Sequence, residues 1–65
     1  MLTEKQMYLM KCLKAYGLEQ DEGCGTLILL KTEEQQDKML KWMKSHTTAS
    51  QEEVLKNALR IAELI

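Results

Sequence analysis

No proline interrupts this chain anywhere in its 65 residues, and apolar residues recur along most of it at three- and four-residue spacing. Proline is the strongest helix breaker, since its ring clashes with the preceding turn and it has no N–H to donate. Its absence, together with that spacing, commits the chain to a mostly α fold. The length allows one small helical domain, residues 1–65. So short a chain buries only roughly 60% of its unfolded surface, which leaves its core marginal. Its two cysteines allow at most one disulfide. Self-association is the remaining staple.

Three helix starts are written in one way. Thr3 with Gln6, Thr32 with Gln35 and Ser50 with Glu53 each have the form of a capping box, a hydroxyl residue followed three positions on by Glu or Gln. The predicted elements are three short amphipathic helices at about 3–16, 33–45 and 51–64. Gly17 supplies the left-handed stop after the first. On a helical wheel the apolar arc of that helix runs from Tyr8, Ala15 and Cys12 through Leu9 and Leu13 to Met10. It is wider than the roughly 100° stripe of an ordinary surface helix, so this helix meets more than one neighbour. In the second helix Met39, Leu40, Trp42 and Met43 form the apolar arc, and the polar first turns leave only the second half to pack. In the third, Val54, Ala58, Ile61 and Ile65 follow a 4-3-4 spacing.

Residues 18–25, Leu-Glu-Gln-Asp-Glu-Gly-Cys-Gly, are polar and glycine-bearing and read as a loop. Thr26 to Lys31 is a short apolar run that suits a strand buried on both faces or a buried helical turn. A lone strand cannot satisfy its own backbone groups, so as a strand it would pair across a dimer.

The chemistry-bearing residues are few. Cys24 between two glycines reads as a small loop residue, Cys12 as an edge of the core, and His46 as a helix-end residue bonding free carbonyls or water. A single Cys and a single His without a third partner do not make a nucleophilic site. Cys12, Cys24 and His46 lack the close ligand pairs of structural zinc, and Glu19, Asp21 and Glu22 lack the alternating carboxylates of a calcium loop. The expectation is a non-enzyme with no catalytic residue, no metal and no cofactor. Nine basic against ten acidic residues give a net charge of −1, which argues against a general nucleic-acid binder. No stretch is apolar enough to span a membrane and no secretory signal opens the chain, so a cytoplasmic protein with reduced thiols is expected.

Two surfaces stand out. Met7 and Tyr8 lie off the main stripe of the first helix; with Cys12 and the segment Leu27, Ile28, Leu29 and Leu30 they form the expected partner interface. Lys31, Lys38, Lys41 and Lys44 are the candidate nucleic-acid contacts, although lysines toward a helix end also complement its dipole.

Residues 26–65 run as a six-residue apolar segment, a helix, a short turn and a helix opening on Ser50-Gln-Glu-Glu53-Val54-Leu55-Lys-Asn-Ala58-Leu59-Arg60. This order resembles the ribbon-helix-helix family of dimeric DNA-binding proteins. The resemblance implies two short strands paired across a dimer and laid in a major groove. Leu27, Ile28, Leu29 and Leu30 leave such a ribbon with no polar face for base edges, and only Thr26, Lys31 and Thr32 could touch DNA. The first expectation is therefore a homodimeric helical protein–protein interaction module. The second is a dimeric DNA-binding regulator of the ribbon-helix-helix kind.

Overall fold

The computed structural model describes residues 2–64 and contains four α-helices: α1 (Glu4–Ala15), α2 (Gln20–Leu29), α3 (Glu33–Ser45) and α4 (Gln51–Ile61). Ile65 lies outside the described residues. Three of the helices correspond to those expected from the capping boxes. The Thr3 hydroxyl accepts from the Gln6 N–H at 3.1 Å while the Gln6 side chain accepts from the Thr3 N–H at 2.8 Å. Thr32 and Gln35 make the same reciprocal pair at 3.1 and 3.3 Å. At Ser50 the hydroxyl accepts from the Glu53 N–H at 3.2 Å, and the Glu53 carboxylate turns to that hydroxyl instead of to the Ser50 N–H.

The fourth helix corrects the expected loop at 18–25 and, of the strand and the helical turn that 26–31 suits, replaces the strand. Among the described residues there is no strand, and α2 crosses both segments. Glu19 is its N-cap, with its N–H donating to the Glu22 carboxylate at 3.2 Å, and Asp21 and Glu22 meet the positive helix start. Two glycines inside a ten-residue helix argue against helix locally, since each disfavours it by about 1 kcal/mol relative to alanine. Tertiary packing overrides that preference. Leu27 and Leu30 are buried on the same side as Gly23 and Thr26, a helical rather than an alternating pattern. At Gly23 a Cβ would fall 2.5 Å from Met10 Sδ, so glycine lets α2 close on α1.

The helices form two hairpins, α1–α2 and α3–α4, with α1 against α3 and α2 against α4. Lys5 near the start of α1 pairs with Asp37 near the start of α3 at 2.8 Å, and Tyr16 at the end of α1 reaches the end of α3. The two helices therefore run in the same sense. Leu9, Leu13, Leu18, Leu27, Leu30, Met39, Met43, Val54 and Ala58 make the core. Leu40, expected to be core, packs on its edge and is only partly buried.

Two turns use left-handed backbone. Gly17 follows α1 at φ 88°, as its position implies, and a Cβ there would also stand 2.6 Å from Gln51 Nε2. Gly17→Ala is expected to lower stability by about 1–2 kcal/mol, the penalty of a left-handed L-residue, read as a shift in urea midpoint. The last helix stops at Ile61, earlier than expected, because Glu63 adopts φ 62°. Leu64 N–H then bonds the Leu59 carbonyl at 2.9 Å and Glu63 N–H the Arg60 carbonyl at 3.0 Å, a Schellman closure.

Candidate interaction surfaces

The apolar arc of α1 is wide because it serves two surfaces. Leu9 and Leu13 point into the core, whereas Tyr8, Cys12 and Ala15, at i, i+4 and i+7, line one wall of an open groove. The facing wall comes from Leu40, Met43, Lys44 and Thr47 along and just beyond α3, and Tyr16 closes one end. The groove holds about 210 Å³ and is predominantly apolar in its lining. The expected interface residues Tyr8 and Cys12 therefore meet here. Met7 does not join them; it lies a quarter-turn away, half exposed on the outer side of α1.

Tyr16 straps the groove's end. Its hydroxyl stands 3.0 Å from the Met43 carbonyl and 2.9 Å from the His46 carbonyl, so its single proton is shared between two acceptors at the end of α3. Burial pushes the Tyr16 hydroxyl above the usual tyrosine range, with the neighbouring Cys12 thiol adding to the shift. A raised folded value stabilises the fold at every pH below the unfolded tyrosine value near 10, and that contribution is lost as pH rises through the folded value. Denaturation midpoints should thus fall above about pH 10 in the native chain, and fall less in Tyr16→Phe, when both are followed through the same alkaline series.

The segment 27–30 is split by its helix. Leu27 and Leu30 are buried within the chain's own core and are not free for a partner, which corrects their place in the expected interface. Leu29 is half-buried, while Ile28 is 71% exposed. Asp21, Cys24, Gly25 and Ile28, at i, i+3, i+4 and i+7, form one outward stripe of α2, and all four are exposed. Cys24 is thus a helix-face residue instead of the expected loop residue, and both cysteines are free thiols.

The four candidate nucleic-acid lysines are dispersed. Lys31 lies in the α2–α3 connection, and Lys38 is ion-paired with Glu34 at 3.8 Å on the same helix. Lys41 and Lys44 are exposed and have no ion pair among the described residues, and Lys44 borders the groove. Successive lysines at 38, 41 and 44 step about 60° around α3, so they wind across its face. Lys5, in the first turn of α1, has its ammonium raised above the usual lysine range chiefly by its hydrogen bond to Asp37. His46 caps α3 as expected of a helix-end histidine, with Nδ1 2.9 Å from the Trp42 carbonyl and its ring stacked on the indole at 4.4 Å. Since a carbonyl only accepts, that contact places a proton on Nδ1.

No helix among the described residues is long and apolar enough to cross a membrane, and no group of three or more His, Cys, Asp or Glu side chains there could hold a metal ion. The Tyr8–Cys12–Ala15 edge is legible in the sequence as one side of the wide apolar arc, but the facing residues are not. Leu40, Met43 and Thr47 also fall on one helical face, at i, i+3 and i+7, yet nothing local says that α3 runs alongside α1. No family model, no curated protein and no solved structure matches this chain.

Proposed function

We propose that the chain is a small helical protein–protein interaction module that works as a homodimer. The observation that carries this reading is the large apolar surface that four packed helices leave uncovered: Met7 and Tyr8 at 52% exposure, Ile28 at 71%, and the apolar groove between α1 and α3. Single exposed apolar residues are ordinary on a small protein, but a groove lined from two helices, with the half-exposed Tyr8 on its wall, marks a contact site. Burying that surface against a partner also supplies the stabilisation a 65-residue core lacks.

Sedimentation velocity across a micromolar concentration series tests it. A mass that rises from one to two chains supports the reading, and a folded monomer throughout overturns it. In parallel, fluorescence anisotropy with duplex DNA at low salt addresses the regulator alternative. Salt-sensitive binding that weakens on Lys31→Ala or Lys41→Ala would replace the interaction module by a nucleic-acid binder.

A further inference from the structure

The chain's three glycines have three different explanations, and one of them is missing inside the monomer. Gly17 is required by its left-handed backbone, and Gly23 by the close approach of Met10. Gly25 lies in mid-helix with ordinary helical backbone, and a Cβ built there meets nothing within 4 Å. Alanine would therefore fit and would favour the helix by about 1 kcal/mol. Nothing in the chain's own packing uses the space that Gly25 leaves.

Its surroundings do. Gly25 sits in the outward stripe between Cys24 and Ile28, the latter being the most exposed large apolar side chain among the described residues. The charges along this element are polarised. Glu19, Asp21 and Glu22 crowd its start, no basic residue lies within the helix, and Lys31 follows two residues past its end without an ion pair among the described residues. A helix with an acidic start, a basic exit and a small residue near its middle is complementary to itself when turned end for end.

We propose that α2 packs antiparallel on α2 of a second copy across a two-fold axis near Gly25. The absent side chain lets the two backbones approach closely, and each Ile28 covers the small residues of the opposite helix. Asp21 of one copy comes to face Lys31 of the other, and the two-fold makes that contact twice. The opposed helix dipoles align favourably in the same arrangement. One ten-residue helix per copy buries less than the roughly 1,200 Å² at the low end of standard interfaces, so dissociation is expected in the range of about 1–100 micromolar. The inference rests on the homodimer reading and names its surface. The α1–α3 groove stays open in such a dimer.

Three single variants, one double variant and one cross-link test it. Gly25→Gln should keep far-UV dichroism and, at submicromolar protein, keep or raise the thermal midpoint, because the site is open and glutamine favours helix over glycine, while raising the dimer dissociation constant by at least about tenfold. Asp21→Lys and Lys31→Glu should each weaken association, and the double swap should restore it, a coupling that separate effects on the monomer would not produce. With a short bis-maleimide on mixed isotope-labelled and unlabelled protein, the link should join Cys24 to Cys24 of the other copy. Dimerisation unchanged in Gly25→Gln, or links running from Cys24 to Cys12 of the other copy, would overturn the α2 pairing while leaving the homodimer reading in place. A monomer at every concentration would remove both.

Discussion

Replacing Leu13 with alanine is expected to destabilise the fold by about 3–4 kcal/mol, enough to leave a large fraction of the chain unfolded at 25 °C. Leu13 has no exposed surface, lies in the last turn of α1, and belongs to a buried cluster that draws on all four helices. Deleting three heavy atoms there removes their transfer free energy and leaves a cavity that helices held by two hairpin turns and an inter-helix strap close only partly. A domain of this length has about 3–10 kcal/mol in total, at the usual 0.05–0.15 per residue. The thermal midpoint should drop by roughly 12–30 °C, given 4–8 °C per kcal/mol for small domains. Leu13→Met, which conserves volume, should lose less than about 1.5 kcal/mol. Thermal scans at submicromolar protein check both, since association then adds little. A loss under about 1 kcal/mol for the alanine variant would mean the core is not centred on Leu13.

Gln36→Leu is the second large effect, and its sign opposes the intuition from hydrophobicity. Gln36 is a buried residue on the first half of α3, and its Nε2 donates to the Leu30 carbonyl at 3.0 Å. That carbonyl belongs to the residue capping the end of α2, where helix geometry leaves acceptors without an internal partner. Leucine fills the same space and transfers more favourably from water. It also strands the carbonyl, and an orphaned buried acceptor costs about 1–3 kcal/mol. The net expectation is a loss of about 1–2 kcal/mol, read as a lower urea midpoint at unchanged slope. A gain in stability would show that the Leu30 carbonyl reaches water once the amide is gone.

Gln36 also shows where sequence reasoning stopped short. Glu33, Glu34, Gln35, Gln36 and Asp37 read as a solvated half-helix, because polarity is scored residue by residue. Its burial depends on a carbonyl at the end of another helix, and no local pattern records that. The same holds for α2. Gly23 and Gly25 read as loop punctuation, and Leu27 to Leu30 as part of a run that suits a strand or a buried helical turn. The helix forms because a neighbouring methionine on α1 accepts one glycine and the core accepts Leu27 and Leu30. The expected interface segment divides along the same line: Ile28 is exposed, whereas its neighbours Leu27 and Leu30 are buried in the chain's own core.

What the sequence determined by itself was local. Three hydroxyl caps, one left-handed glycine and the 3–4 spacing of apolar residues place α1, α3 and α4 to within a few residues, because caps and amphipathic periodicity act through bonds and faces inside one helix. The Tyr8–Cys12–Ala15 edge was legible for the same reason. Tertiary structure alone decided that α2 is a helix, that α1 and α3 run side by side to make a groove, and that Ile28 is left outside. Those outcomes turn on contacts between residues far apart in the chain, where a close approach at Gly23 or a bond at Leu30 outweighs the local preference of the segment that makes it.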